Sequence, residues 1–128
     1  MKLSFRYTLL LSLLLALGVL PGCGGGSPPG PPPPLAVADL PTELQKAFVK
    51  AKPETQEAAR VVAAAVQAKD YPAAYRALQP LLTLPEATKQ QRTITARSLI
   101  TINQQLQEAQ AKGDANAAAI IQYNRKYK

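Results

Sequence analysis

The stretch DYPAAYRALQPLL, residues 70–82, decides the fold of this chain. Asp70 is a favourable N-cap residue, and Pro72 is tolerated in a first helical turn because the N–H groups there have no intrahelical partner. Apolar side chains then recur at the spacing of one helix face. They are Tyr71, Ala74, Tyr75, Leu78, Leu81 and Leu82. The stretch therefore predicts a capped helix whose apolar side packs against a neighbouring helix.

Two helical patterns precede this stretch. Pro53 opens a helix to about Lys69, since a proline at the first helical position removes no hydrogen bond. Its expected buried side consists of Ala58, Val61, Val62, Ala65 and Val66. A shorter helix is expected from Pro41 to about Ala51, because Thr42 and Gln45 have the spacing of a capping box.

Two more helices are expected downstream. The sequence Thr83-Leu84-Pro85-Glu86 has the Thr-x-x-Glu pattern of a capping box, which predicts that the longest helix starts there and runs to about Lys112. Its expected core face carries Ile94, Leu99, Ile102, Leu106 and Ala109. Gly113 is the predicted left-handed cap, and Asp114 begins the last helix, to about Tyr127. The predicted fold class is all-α, a small bundle or stacked helical hairpins of about five helices.

Residues 70–81 resemble the turn and second helix of a tetratricopeptide repeat. Tyr71, Ala74 and Leu78 agree with that motif, whereas Lys69 stands where a turn glycine is usual. The next turn of this kind comes later than the 34-residue period of the repeat. The resemblance implies one diverged helical hairpin and not a tandem array.

Residues 1–22 have the pattern of an export signal. A basic start precedes the apolar run of residues 8–20, which is shorter than the about 20 apolar residues of a spanning helix. Leu20, Gly22 and Cys23 resemble the Leu-x-Gly-Cys core of the bacterial lipobox, which is cleaved before its cysteine after lipid joins the sulfur. An ordinary signal peptide followed by a stray cysteine is the alternative. The single cysteine has no disulfide partner and favours the lipoprotein.

Residues 23–34 are almost entirely glycine and proline after the cysteine. Such a composition favours a flexible start followed by polyproline II, which rises about 3.1 Å per residue. We expect a disordered tether that holds residues 35–128, the α-helical domain, away from a membrane. A proline-rich ligand for an SH3-type groove is the alternative.

The composition argues against several classes of function. The chain has no His, no Trp and one Cys, so a zinc or other transition-metal site lacks its usual ligands. Its eight Asp and Glu residues are scattered. We expect no catalytic site, no metal or other cofactor, no small-molecule substrate and no nucleic-acid partner. An enzyme would instead gather two or more carboxylates in a pocket with Arg60, Arg76, Arg92 or Arg97.

The order of features along residues 35–128 is similar to that of small exported helical proteins of bacteria. This resemblance implies export but no particular activity. The lipobox-like sequence at Cys23 leads us to expect a lipid anchor in the cell membrane or outer membrane, with the domain facing the periplasm or the exterior. The expected function is a non-enzymatic lipoprotein that binds or scaffolds a protein or peptide partner in the cell envelope.

The basic end of the chain suggests an alternative function. Arg125, Lys126 and Lys128 would attract anionic lipid or wall polymer, which would make the protein a structural spacer of the envelope. The end also resembles that of the major murein lipoprotein, whose last lysine joins peptidoglycan covalently, although here Tyr127 separates the two lysines. A merely solvated tail is a third interpretation.

Overall fold

The computed structural model describes residues 30–128, which form five helices and no strand. These are α1 (Leu40–Ala47), α2 (Pro53–Gln67), α3 (Tyr71–Leu82), α4 (Lys89–Ala111) and α5 (Ala115–Tyr127). Helix α2 packs against α1 and α3, and α4 packs against α1, α3 and α5. The predicted all-α fold, a small bundle or stacked helical hairpins of about five helices, is confirmed. In this part of the chain, none of the helices is long and apolar enough to cross a bilayer.

The core lies among all five helices, but they contribute unequally. The largest fully buried apolar side chains are Phe48, Leu40, Leu44, Leu78, Ile102, Leu106 and Val62. Each side chain of this size stabilises the fold by about 1.5–3 kcal/mol relative to leaving it in water. The predicted apolar stripes of α3 and α4 are confirmed, because their members are buried or pack against this core.

Two turns of one kind connect α2 to α3 and α4 to α5. Lys69 has a φ of 58° and Gly113 a φ of 93°, so each residue is left-handed, as predicted for Gly113. The next N–H in each turn reaches back five residues: Asp70 donates to Ala65 O at 2.9 Å, and Asp114 to Ala109 O at 3.0 Å. This is the Schellman pattern of helix ends.

An aspartate caps the helix after each turn, as predicted. The N–H of Ala73 donates to Asp70 Oδ1 at 3.0 Å. Asp114 Oδ1 accepts two bonds, from Asn116 N at 2.8 Å and Ala117 N at 3.0 Å. Each carboxylate therefore satisfies N–H groups that would otherwise have no partner in the helix.

The predicted start of the longest helix at Thr83 is wrong. Thr83 instead follows the end of α3, and its hydroxyl donates to Gln79 O at 3.3 Å. A residue before proline disfavours the helical conformation, so Leu84, which precedes Pro85, is a poor first helical residue.

The capping box of α4 lies five residues later. The N–H of Gln91 donates to Thr88 Oγ1 at 3.1 Å, and the N–H of Thr88 donates to Gln91 Oε1 at 3.0 Å. Thr-x-x-Gln satisfies the same two donors as Thr-x-x-Glu. Two similar patterns therefore follow one another in the sequence, at residues 83–86 and 88–91, and the absence of a proline in the second favours it as the start of the helix.

The capping box predicted for the first helix is also wrong. Helix α1 starts at Leu40, so Thr42 already lies inside it, and the N-cap residue Asp39 makes no side-chain cap bond. The helix ends at Ala47 and not at Ala51. A backbone bond from Ala51 N to Phe48 O, at 2.9 Å, closes a turn there instead.

The buried face of α2 is displaced from the predicted one. Val61 was expected in the core, but it is 43% exposed. The buried residues of α2 are Ala59, Val62, Ala63 and Val66. Because apolar residues occupy nearly every position from 58 to 66, their spacing does not single out one face.

Candidate functional site

The predicted site residues fall into two groups. Leu20, Gly22 and Cys23, with the whole predicted signal peptide and most of the tether, lie outside the described residues. Arg125, Lys126 and Lys128 are exposed at the C-terminal end of α5.

The packed domain extends back into the predicted tether. Arg97 Nε donates to Pro33 O at 2.9 Å, and Thr101 Oγ1 donates to Leu35 O at 2.6 Å. Leu35 is 7% exposed and belongs to the core. Contacts with α4 therefore begin at Pro33, ahead of the expected domain boundary at Leu35.

A stripe of buried polar residues on α4 was not predicted. It consists of Gln91, Thr95, Ser98 and Thr101. Thr95 Oγ1 donates to Gln91 O at 2.7 Å, and Ser98 Oγ donates to Ile94 O at 2.8 Å. These hydroxyls are satisfied by the preceding turn of their own helix, so their role is structural. The three- and four-residue spacing of the stripe was its sequence signal.

An exposed aromatic pair lies beside the basic residues of α5. Tyr123 and Tyr127 are 63% and 62% exposed, although both are large and partly apolar. Their ring centroids are 4.7 Å apart at an interplanar angle of 41°. Lys126 Nζ lies 5.4 Å from the centroid of the Tyr127 ring, within the range of a cation–π contact.

A groove of about 500 Å³ lies between Tyr123 of this pair and α3. Apolar atoms of Tyr75, Ile120 and Tyr123 line it, and the two cations Arg76 and Lys128 also line it. We define the α5 surface as Arg76, Tyr123, Arg125, Lys126, Tyr127 and Lys128. Sequence reasoning found only its three C-terminal cations. The i, i+4 spacing of the two tyrosines was the available signal for that pair, whereas no local pattern indicated Arg76.

One hydrogen bond between side chains joins helix α5 to helix α3. The Tyr75 hydroxyl donates to Asn124 Oδ1 at 2.8 Å, and Tyr75 itself is only 7% exposed. This bond fixes the position of the groove, because its two partners stand on opposite walls.

Positive charge dominates the α5 surface. Helix α5 contains no Asp or Glu. Ion pairs within residues 30–128 join Lys52 to Glu86 and Arg60 to Glu57, which all lie on other elements. Arg125 and Lys126, in the last turn, also complement the negative end of the helix dipole, which is a structural role for part of this charge.

Two more large apolar side chains are exposed near α1 and α2: Val49, in the turn after α1, and Val61, on α2. Val49 is 65% exposed and shares a groove of about 450 Å³ with Phe48, Glu57 and Arg60. Val61 is 43% exposed on α2 and is not among the residues that line this groove. We define the α1–α2 surface as Val49, Glu57, Arg60 and Val61.

The charged pair on the α1–α2 surface is well formed. Arg60 Nε donates to Glu57 Oε2 at 2.7 Å. This hydrogen bond lowers the pKa of Glu57 below its ordinary value and raises the pKa of Arg60. Both groups are therefore charged at neutral pH, and they offset each other beside the exposed valines.

The carboxylates do not converge on a groove. Four surface grooves in the described part of the chain each have at most one carboxylate among their lining residues. Within residues 30–128, no three His, Cys, Asp or Glu side chains are grouped closely enough to hold a metal ion. The arginines named for an enzyme therefore meet no carboxylate pair in these grooves.

The described fold defines a small all-α protein of stacked helical hairpins. No protein family, curated protein or solved structure matches this chain. Inferences about its function therefore rest on the two exposed surfaces and on the sequence before residue 30.

Proposed function

We propose that this protein is a non-enzymatic, lipid-anchored helical module of the bacterial cell envelope that binds or scaffolds a protein or peptide partner. Its lipid is attached at Cys23, and the glycine- and proline-rich residues that follow form the tether. The observation that carries the binding role is the exposure of Val49 and Val61 on the α1–α2 surface.

These valines favour a partner for a physical reason. Fully burying a valine contributes about 1.5–3 kcal/mol, and the free domain forgoes part of this at each position, because Val49 is 65% and Val61 43% exposed. A partner that covers them recovers this energy, and the neighbouring Glu57–Arg60 pair supplies a polar rim of the kind that surrounds interface cores.

The anchor is tested by the mass of the protein extracted from membranes. We expect a mature chain that begins at Cys23 and carries a lipid-sized mass increment. Cys23→Ala should abolish both the lipid and the cleavage before residue 23. A mature chain that starts elsewhere, or that lacks the increment, would contradict the anchor.

The partner surface is tested by co-purification of the intact lipidated protein after crosslinking in cells. Val49→Asp and Val61→Asp should each reduce recovery of a specific crosslinked protein at least tenfold, because a buried carboxylate is costly. Gln67→Asp is the matched control, since it also introduces an exposed carboxylate on α2. Equal recovery from all three variants would exclude this surface.

The exposed cations favour a second candidate function, an envelope spacer that contacts wall polymer or anionic lipid. Arg125, Lys126 and Lys128 lie on an element without acidic residues. Release of all the protein from cell-wall sacculi by hot detergent would exclude covalent attachment through Lys128 and leave only charge attraction.

A further inference from the structure

We propose that the α5 surface docks on the anionic phospholipid bilayer that holds the lipid anchor, with Tyr123 and Tyr127 at the level of the headgroups. This inference rests on the second candidate function and selects lipid over wall polymer as its partner. It adds Arg76 and the two tyrosines to the three cations at the end of the helix.

The aromatic pair is the first reason. A tyrosine has an apolar ring and a polar hydroxyl, so it is favoured where one end of the side chain is apolar and the other is wet. Tyr123 and Tyr127 are adjacent and more than half exposed, and neither hydroxyl is needed for the bond that joins α5 to α3. A flexible polyanion in water offers no apolar layer for these rings.

The placement of charge is the second reason. Arg76 and Lys128 line the groove whose other lining is largely apolar. Phosphodiester groups can meet these cations while the exposed ring of Tyr123 faces the glycerol and upper acyl region. Lys126 adds positive charge beside Tyr127, and Arg125, which lines a separate groove next to α4, adds charge at the same end of the helix. This charge strengthens attraction to an anionic leaflet.

The tether makes even a weak contact effective. The roughly ten residues between Cys23 and Pro33 reach at most about 35 Å. A lipid at Cys23 therefore keeps the domain close to the bilayer, and docking becomes an intramolecular step with an effective concentration of about millimolar. Two signals of this kind, one lipid chain set and one basic patch, are typical of stable membrane attachment.

The test uses the full-length protein as extracted from membranes, reconstituted in vesicles. The chain contains no tryptophan, so Tyr123→Trp introduces a single fluorescent reporter on the α5 surface. The lipids carry bromine near the glycerol end of their acyl chains, which quenches a tryptophan at that depth. One vesicle set is phosphatidylcholine alone, and the other mixes phosphatidylcholine with phosphatidylglycerol.

We expect blue-shifted, quenched emission in the phosphatidylglycerol vesicles and little change in phosphatidylcholine alone. About 1 M salt should reverse the effect, because it shortens the Debye length to about 3 Å. Adding Arg125→Ala, Lys126→Ala and Lys128→Ala should shift the docking equilibrium by about fivefold per residue, on the order of a hundredfold together.

Val49→Trp is the matched control, because Val49 is exposed to the same extent as Tyr123 but lies on the α1–α2 surface. Its emission should be the same in both vesicle sets. Equal quenching at the two positions, equal quenching in both vesicle sets, or no quenching at position 123 would each overturn the proposal. If position 123 is not quenched in vesicles but crosslinks to another protein in cells, the surface belongs to a protein partner instead.

The result is independent of the test of the anchor. The mass of the reconstituted protein reports whether Cys23 carries lipid. The difference in tryptophan quenching between the two vesicle sets can be measured for the protein with or without that lipid. A lipidated protein without quenching defeats the docking proposal and leaves the anchor intact. Quenching without lipid at Cys23 defeats the anchor and leaves the docking surface intact.

Discussion

The hairpins α2–α3 and α4–α5 have the same kind of turn, but their second helices bury different numbers of residues. In α2–α3 and in α4–α5, a left-handed residue is followed by an aspartate that caps the next helix. Helix α3 buries five residues against the core: Pro72, Ala74, Tyr75, Leu78 and Leu81. Helix α5 buries only Ala117.

This difference shows that the position of a helix and its stability have separate causes. The turn and cap determine where a helix starts and in which direction it runs, and they need only a few local residues. The stability of the helix comes from the apolar face that it buries. The start and direction of α5 are therefore determined as well as those of α3, but packing stabilises α5 less. Most of its surface remains exposed and available for contacts.

The largest predicted effect is at the centre of the first hairpin. Leu78→Ala should destabilise the domain by about 2–5 kcal/mol, because Leu78 is fully buried and its truncation leaves a cavity. Ile120→Ala, in the second hairpin, is the control and should cost clearly less, since Ile120 is only partly buried. Denaturant unfolding measures both values. Equal losses would show that the two hairpins are equally well packed.

The next effect is at the turn of the second hairpin. Gly113→Lys places a β-carbon where φ is 93°, and this strain should cost about 1–2 kcal/mol. A Cβ at this position meets no heavy atom within 4 Å, so strain of the backbone is the only local penalty.

The loss at Gly113 should be confined to the second hairpin. Amide hydrogen exchange should accelerate in α5 and change little in α2 and α3, because α5 opens before the core does. Ala111→Lys, an exposed change just before the turn, is the control. Uniform acceleration along the chain would mean that α5 unfolds only with the whole domain.

The sequence predicted the helices best where local chemistry was unambiguous. Asp70, Gly113 and Asp114 act within one turn of their own position, so a short stretch contains all the information needed. The face of α3 was also clear, because polar residues such as Arg76 and Gln79 interrupt its apolar spacing. In helix α2 only Arg60 interrupts the apolar run of residues 58–66, so its buried face depends on the packing of α1 and α3, which the sequence of α2 does not specify.

The exposed surfaces were harder to predict than the helices. Val61 fits an apolar stripe, and only the packing of neighbouring helices shows that it is left out of the core. The α5 surface joins Arg76 to Lys128 across a groove between two elements. Such a pairing depends on how α5 packs beside α3, which no local pattern specifies.

A smaller effect concerns the two caps. Asp114→Ala should cost about 1 kcal/mol, with the loss seen as faster hydrogen exchange in the first turn of α5. Asp70→Ala should cost less, because Pro72 has no N–H and the Asp70 carboxylate therefore accepts one bond and not two. Asn at either position is the control, since it retains the acceptor oxygen. A larger loss at Asp70 would show that its charge, and not its bond count, is what stabilises α3.

The smallest predicted effect comes from Lys69→Gly, which gives the first turn a glycine like that of the second. Lys69 is left-handed with a φ of 58°, a conformation that costs a residue with a β-carbon about 1–2 kcal/mol. Lys69→Gly removes that strain but also frees the unfolded chain, which offsets about 0.5–1 kcal/mol of the gain. We therefore expect a net stabilisation of about 0.5 kcal/mol, measured by denaturant unfolding. Lys69→Ala, which keeps the β-carbon and removes the charge, should show no gain. If the alanine variant is stabilised as much as the glycine variant, the cost at this turn comes from the lysine charge and not from the backbone.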